Sequence, residues 1–568
     1  MEIWRVNTRT RTLSREAVPP GWERLGGRGL IARILLDEVD ARTDALGPGN
    51  KLLFCPGLLV GHMLSSTDRI SIGGKSPLTG GVKESNAGGR TGLHMAYLGI
   101  HALILEDAPE EDPWWVLYLS SEGARWERAD DLIGLGVYES AERLRARYGE
   151  KVAISLIGPG GEMRLKAAGI QNLDKDGIPS RIAARGGLGA VMGSKRLKAI
   201  VFDASGGKRP PIHDPQAFKE AQKEYTLALQ AHPQTKTYHD FGTAAMAHMC
   251  NSFGGLPTRN FSSGQFEHVE AISGETLREF ILKRGGQGDP SHACMAGCII
   301  RCSNIFADEN GKMVVSPLEY ETIGLMGSNL GIGSLDVIAR LNWQVNDLGL
   351  DSIEIGAALG VAAEGGLMRW GDGERALALL DEIRHGSELG RVLGNGALST
   401  GRHLGVRRIP VVKGQAMSAY EPRAIKGTGI TYATSPQGAD HTAGLTIRAK
   451  VNHLDPSVQK PVSLTAQLNM AGYDTLGACI FAGFGYAAAP SPVVARLLRA
   501  RYGWEVPDNV LQELGRETIR LEREFNRRAG FTSRDDRLPE WMKEEPLPPH
   551  NAVFDVPDED LDSIFKEL

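Results

Sequence analysis

The chain has 568 residues, 42% of them hydrophobic and 23% charged, and a formal net charge of −5. That is the composition of a folded globular protein long enough for about three domains, and it excludes a disordered polymer. The near-balanced charge leaves no footprint for nucleic acid or an anionic membrane, and with polar sequence at the N-terminus and no apolar run of about 18 residues, neither a secretory leader nor a transmembrane helix is expected.

Residues 1–210 predict a β-rich domain. Short apolar runs at 52–54, 102–105, 152–157 and 199–202, bounded by Gly, Pro or Asp, have the length of buried strands. Glycine is abundant: the 70 residues are about 12% of the chain against a usual 7%. Tight turns account for any single pair such as Gly26-Gly27 or Gly186-Gly187, but the clustering suits a large ligand approached by backbone. Residues 206–211 mark a boundary. From 211 to 410, helical periodicity appears at 215–232, 274–284, 335–348 and 374–385. Asp336 is expected to cap the third of these and Asp351 the helix that follows. Residues 411–568 are mixed and then mostly helical, including 508–528, and a Pro-rich acidic tail from 538 is expected to wrap the surface. No repeat at solenoid period is visible. The fold class is therefore α+β, a β-rich domain followed by two largely helical ones.

The chain has six cysteines: Cys55, Cys250, Cys294, Cys298, Cys302 and Cys479. Six in this length is no disulfide framework, and a reducing, cytoplasmic compartment is expected. Isolated Cys55 and Cys250 read as small buried hydrophobes. Cys294, Cys298 and Cys302 form a C-x3-C-x3-C pattern, and three thiolates so close point to a metal centre. An iron–sulfur cluster normally needs four thiolates. Structural zinc usually shows two ligand pairs with short spacers, and no second pair is nearby. Cys479 is the only other cysteine in the second half and is the expected fourth ligand of a [4Fe–4S] cluster. The spacing of three also fits one face of a helix turn.

With these motifs the chain resembles the aldehyde:ferredoxin oxidoreductase family, nearly end to end. The resemblance rests on Gly26-Gly27-Arg28-Gly29-Leu30, Ser76-Pro77-Leu78-Thr79-Gly80, Asn86-Ala87-Gly88-Gly89, Ile157-Gly158-Pro159-Gly160-Gly161-Glu162 and, most specifically, Arg185-Gly186-Gly187-Leu188-Gly189-Ala190-Val191-Met192-Gly193-Ser194-Lys195. It continues through Gly255-Leu256-Pro257-Thr258-Arg259-Asn260-Phe261, Tyr320-Glu321-Thr322, Phe525-Asn526 and Asp536-Arg537-Leu538-Pro539. Asp474-Thr475-Leu476-Gly477-Ala478-Cys479 fits the family's pterin-binding D-x-x-G-x-(D/C) motif. Asn346-Asp347-Leu348-Gly349-Leu350-Asp351 fits it except at the first position. Alone, either motif reads equally as a helix C-terminus.

The resemblance implies a double β-sheet base under a tungsten (or molybdenum) bis-pterin centre, with two largely helical domains above. It places Arg69, Asn86, Gly88 and Gly89 on one side of the pterin phosphates and a bridging Mg2+, and Ala183, Arg185 and Gly186 on the other. It implies oxidation of an aldehyde, with electrons leaving through the cluster to ferredoxin or an iron–sulfur electron-transfer subunit; a homodimer is compatible with it. Glu321 is the expected general base and His441 the hydrogen-bond donor, with Tyr320 and Tyr420 completing the pocket as hydroxyl donors. In the family's best-described members the first two cluster cysteines are separated by two residues, so the spacing of three here leaves the substrate open. A tungsten-dependent aromatic-CoA reductase subunit and an electron-transfer subunit without catalytic metal stay as alternatives. An NAD site at Gly187-Leu188-Gly189 is not expected, since no strand is predicted before that turn.

Overall fold

The computed structural model describes residues 1–110, 113–566 and 568. Its N-terminal part is two six-stranded sheets. The first is built from β1 (Glu2–Asn7), β2 (Thr12–Ala17), α1 (Gly27–Glu38), β3 (Leu52–Pro56), β4 (Ile70–Lys75), β5 (Val82–Ala87), α2 (Thr91–Tyr97) and β6 (Ile100–Glu106). The second contains β7 (Trp115–Ser120), β8 (Gly123–Arg128), α3 (Val137–Tyr148), β9 (Ala153–Leu156), the short α4 (Pro159–Glu162), β10 (Ile170–Leu173), β11 (Pro179–Ala183), α5 (Leu188–Ser194) and β12 (Leu197–Phe202).

The strand orders, β2-β1-β6-β3-β4-β5 and β8-β7-β12-β9-β10-β11, are the same order twice. In each sheet only the β1–β6 or β7–β12 pair is parallel. Registers repeat too: Ile70 faces Ala87 and Ile170 faces Ala183. The N-terminal part is thus a structural duplication. Trp4, Phe54 and Leu103 of one sheet share a core with Leu117, Ile200 and Phe202 of the other. β3 and β12 are buried on both faces, which is why they read as unbroken apolar runs rather than alternating ones.

The four strands predicted from apolar runs lie within or overlap β3, β6, β9 and β12. Helices α1, α2, α3 and α5 were not expected in this region. Glycine hides α1, and packing explains the glycine: a Cβ on Gly27, at φ +44°, would lie 2.0 Å from the Asp474 carbonyl oxygen. The ground given for setting aside an NAD site needs correction, because β11 is a strand and α5 a helix around Gly186-Gly187. The strand after α5, however, pairs with β9 and β7, not with β11. No parallel βαβ unit forms there, and a dinucleotide fold needs one.

The remainder is mostly helical. The helices Pro215–Ala231, Gly274–Arg284, Leu335–Leu348, Gly373–His385 and Val510–Ala529 match the predicted segments within two residues. Ser334, not Asp336, caps Leu335–Leu348: its side chain accepts from Val337 N, while Asp336 pairs with Arg284 at 2.7 Å. Asp351 does cap Ser352–Glu364. A three-stranded sheet, Asp289–His292, Ser303–Ala307 and Met313–Val315, interrupts the helices. The tail anchors rather than merely wraps, burying Trp541, Met542, Leu547 and Phe554.

Candidate active site and cysteine loop

Both D/N-x-x-G motifs end helices. Gly349 closes Leu335–Leu348 and Gly477 closes Gln459–Leu476, each in the left-handed region, where glycine carries no steric cost. They dock on the two sheets in the same way. Arg69 N donates to Gly477 O at 3.1 Å, and Gly169 N donates to Gly349 O at 2.9 Å. Ala478 bridges Thr67, and Leu350 bridges Ala168. Gly57 and Gly158, at equivalent positions after β3 and β9, let the motifs approach: a Cβ would meet Gly477 N at 1.9 Å or Leu348 O at 2.4 Å. The helix-end and ligand-binding readings of these motifs are therefore compatible.

At the second motif, Asp474 Oδ1 accepts from Asn86 Nδ2 at 3.0 Å and Oδ2 from Arg28 Nη1 at 3.3 Å. Arg28 also grips Glu522 at 2.8 Å. Burial and the nearby Glu84 carboxylate push Asp474 well above the usual range, against the pull of Arg28. At the first motif, Asn346 is buried and faces a cavity of about 190 Å3 with Arg69, Gly88, Arg181, Glu321 and Asp351. Asp347 points elsewhere, accepting from Tyr138 N at 3.2 Å and Arg384 Nη2 at 2.8 Å. It caps α3, contrary to its expected place among the cofactor residues.

The cysteine loop is not helical. It is the irregular connection between strands Asp289–His292 and Ser303–Ala307, with Gly297 and Arg301 at positive φ. The expectation of one helix face is corrected accordingly. Ser65 Oγ accepts from Ile299 N at 3.1 Å, and Ser66 O accepts from Cys479 N at 2.8 Å, so residues 65–66 bring the fourth cysteine to the loop. The thiols act on one another electrostatically. Burial raises Cys294 to about 12, opposed by Arg181 and Arg69, while Cys298 and Cys479 push it further up. Cys302 is raised by burial, by Glu319 and by the same thiols. Among the described residues, the only His/Cys/Asp/Glu group converging within 4.8 Å is Asp174, Asp176 and His292. No three of the four thiol sulfurs lie within 4.8 Å of one another. Gly88 meets this loop: a Cβ there would lie 3.1 Å from Cys294 Sγ.

Glu321 Oε1 lies 3.0 Å from His441 Nε2, and its Oε2 is buried without a hydrogen-bond partner. His441 Nδ1 meets Ser418 Oγ at 2.9 Å. Burial would lower the His441 pKa, but Glu321 and then Asp440 outweigh it and raise it. Asp440, the residue before His441 and absent from the expected site, organises this corner. It takes Lys83 Nζ at 2.7 Å, with both groups buried, and Lys83 and Arg185 hold it far below the usual carboxylate range despite that burial. Lys83 lies on β5, a strand not predicted, and Tyr432, buried beside Glu321, was missed as well; neither sits in a motif.

Other expected site residues have other uses. Tyr320 donates to Ala419 O at 2.5 Å, so its hydroxyl is committed rather than presented to the pocket. Its ring lies 5.2 Å from that of Tyr420, which is 6.0 Å from the His441 ring. Arg185 is consumed by Asp351 at 3.2 Å, Ser418 at 3.2 Å, and the carbonyls of Ala439 at 2.6 Å and Ala416 at 2.5 Å. Its guanidinium is thus taken up by protein groups, the Asp351 carboxylate among them. Gly89 and Gly186 allow close packing: a Cβ added at either would lie 2.3 Å from Leu173 O or from Lys83 Cγ. Asn86 is used at both ends of its amide, by Arg69 and Asp474. Ala183 is buried at the end of β11, the counterpart of Ala87.

Two family descriptions cover the chain: "Aldehyde ferredoxin oxidoreductase, N-terminal domain" over residues 3–204, and "Aldehyde ferredoxin oxidoreductase, domains 2 & 3" over residues 220–568. The chain belongs to the aldehyde ferredoxin oxidoreductase family. It is an oxidoreductase of that family. It is 33% identical over 552 residues to the tungsten-containing aldehyde ferredoxin oxidoreductase of Thermococcus kodakarensis, covering 92% of this chain and 88% of that one. It is also 28% identical to the aliphatic sulfonate oxidoreductase, WOR-like subunit, of Pyrococcus furiosus, over 88% of this chain and 81% of the relative. Among solved structures, the active site complex BamBC of benzoyl coenzyme A reductase shares the fold. Its TM-score is 0.80 at 19% identity, covering 100% of this chain and 93% of that chain. Among the described residues, no single helix of this family member is long and apolar enough to cross a membrane.

Proposed function

We propose that this protein oxidises an aldehyde to a carboxylic acid at a tungsten (or molybdenum) bis-pterin centre and passes electrons through a [4Fe–4S] cluster to ferredoxin or a similar carrier. The observation that carries this reading is the Glu321–His441 pair at 3.0 Å, with a buried carboxylate oxygen left unpartnered on a cavity that also takes Arg69, Gly88 and Asn346. The relatives named as tungsten-containing aldehyde ferredoxin oxidoreductases support it.

The residues fit the groups. Asp474 and Asn346, at equivalent helix ends, would hold the two pterin edges, and Arg69 and Arg181 supply positive charge for phosphate oxygens. Magnesium would sit where β5 and β11 end, near Ala87 and Ala183, on backbone oxygens and phosphate. The Asn86 amide, used at both ends, makes a poorer ligand than expected. Cys294, Cys298, Cys302 and Cys479 would ligate the cluster, whose charge would reverse the thiols' raised pKa. When bound, the bis-pterin metal supplies the acceptor for the two electrons released as an aldehyde and water become a carboxylic acid.

Glu321 then has one task, to accept a proton at Oε2 as the oxygen adds to the carbonyl carbon. His441, whose pKa Glu321 and Asp440 raise against its burial, would share its Nε2–H between Glu321 and oxygen at the reacting centre. Ser418 and Asp440 fix its ring. Purified protein, assayed with aliphatic and aromatic aldehydes and a viologen acceptor, tests the reading. Fully metallated protein that oxidises no aldehyde defeats it and moves a reductase of the benzoyl-CoA type ahead. Protein with iron but no tungsten, molybdenum or pterin, from cells supplied with both metals, makes it an electron-transfer subunit instead.

A further inference from the structure

The duplicated sheets place two equivalent half-sites side by side, and their chemistry differs. Helices α1 and α3 occupy the same place in each copy, and their second residues are Arg28 and Tyr138. Arg28 reaches Asp474 at 3.3 Å. Tyr138 lies against the helix that ends at the other motif. Its backbone N is 3.2 Å from Asp347 Oδ1, and its ring stacks on Trp343 at 5.6 Å with planes 7° apart. Trp343 is three residues before Asn346, so the two share a helix face. The Tyr138 hydroxyl is buried and short of a well-formed hydrogen bond, and it lies beside the Asn346 amide.

We infer that Tyr138 is the positioning residue for Asn346, and that this neutral pair replaces, in one half-site, the Arg28–Asp474 ion pair of the other. The inference rests on the proposed pterin reading and adds an asymmetry to it. A carboxylate accepts only, whereas an amide donates as well as accepts. Asp474, which already accepts from Asn86 and Arg28, would offer a ligand edge acceptor sites, whereas Asn346 would offer a donor beside an acceptor, so the two half-sites present different hydrogen-bonding patterns.

The two exchanges belong together. An aspartate at 346 would set a buried charge against the Tyr138 hydroxyl instead of an arginine, and an arginine at 138 would set the opposite charge against an amide; either is costly. The nearest charge on this helix end, Asp347, is already taken by Arg384 at 2.8 Å.

The test uses holoenzyme carrying Tyr138→Phe, Asn346→Asp, or Tyr138→Arg with Asn346→Asp. Pterin and tungsten per chain, pterin release on dilution, iron per chain and thermal melting are measured for each. Tyr138→Phe keeps the stack on Trp343 and loses only the hydroxyl. On this inference the hydroxyl closes on the Asn346 amide once pterin is bound, so pterin should leave about five- to tenfold faster, the worth of one buried hydrogen bond, with iron unchanged. Asn346→Asp should lose more pterin, and Tyr138→Arg added to it should restore loading by recreating an ion pair. Tyr138→Arg should not rescue Asp474→Asn in the other half-site. Wild-type release from Tyr138→Phe, or a double variant no better than Asn346→Asp, overturns the inference. Wild-type protein without any pterin defeats the proposed function instead. The pair is then read from melting of Tyr138→Phe, Asn346→Ala and their combination: non-additive shifts sustain it and additive shifts overturn it.

Discussion

Glu321 Oε1 sits 3.0 Å from His441 Nε2, while Ser418 Oγ holds the other ring nitrogen at 2.9 Å. The two side chains come from segments 120 positions apart in sequence, and the contact leaves the second Glu321 oxygen buried and unpartnered. Native structures rarely leave such an atom orphaned without a use for it. Glu321→Gln keeps the volume and removes the base. Turnover should fall by roughly 10²–10⁴, the worth of a positioned general base, with tungsten and iron at wild-type levels. A variant of unimpaired turnover would remove Glu321 from the chemistry and leave the cluster assignment standing.

The same pair predicts a pH dependence. The His441 pKa is raised in the folded protein, because Glu321 and Asp440 outweigh the burial that would lower it. A group raised on folding contributes stability fully below its unfolded value, about 6.5. That contribution is lost as pH rises through the folded value. Melting temperature should therefore decline across the alkaline side of that window, and His441→Gln should flatten the decline. An unchanged pH profile in His441→Gln would show that the imidazole is neutral in the folded protein.

Lys83 and Asp440 form a buried pair at 2.7 Å. Asp440→Asn strands the ammonium, and breaking one side of a buried pair costs about 3–5 kcal/mol. Lys83→Met should cost a similar amount. The double variant, with no charge left over from this pair, should recover much of the loss. Chemical denaturation of the single and double variants checks this. Additive losses would mean that Arg185 at 3.9 Å, rather than Lys83, is the principal partner of Asp440.

Much of this was legible in sequence where one physical cause acts alone. Strands β3 and β12 are buried on both faces, so their residues had to be apolar without alternation. Leu335–Leu348 shows its helical period in sequence, although Ser334 and not Asp336 caps it, while Asp351 caps the next helix as expected. The cysteine spacing marked one loop, and the structure brings Cys479 to it through residues 65–66. The rest was illegible for equally physical reasons. The duplication is carried by topology: Arg28 is matched by Tyr138 and Arg69 by Gly169, and the few shared letters, such as Ile70 with Ile170 and Gly57 with Gly158, are too scattered to read as a repeat. α1 was masked by glycines that the approach of Asp474 demands. Lys83, Asp440 and Ser418 have no local signature, because their partners lie far away in sequence. Arg185 matched a motif, yet its guanidinium faces carbonyls and Asp351, which a motif does not reveal.

The cysteine loop supplies the last prediction. Cys294, Cys298 and Cys302 lie on one irregular connection, and Cys479 is brought to it by its backbone N–H, which donates to Ser66 O at 2.8 Å. Cys55 and Cys250 are fully buried in strand and helix cores. Serine at 294, 298, 302 or 479 should bleach the cluster's visible absorbance or change its spin-resonance spectrum. The fourth-ligand position is the sharpest case, since Cys479 also terminates the motif that starts at Asp474. Losing the cluster there should leave iron below four per chain while pterin stays bound, because Asp474 keeps its Asn86 and Arg28 partners. Serine at 55 or 250 replaces a small core thiol with a hydroxyl that has to find a partner. Its effect should be on melting, by about 1–3 kcal/mol, with the spectrum intact. A Cys479→Ser protein with an unchanged cluster spectrum and full iron would mean that another group completes the site. Spectral loss in Cys55→Ser would mean that the four-thiol assignment is incomplete.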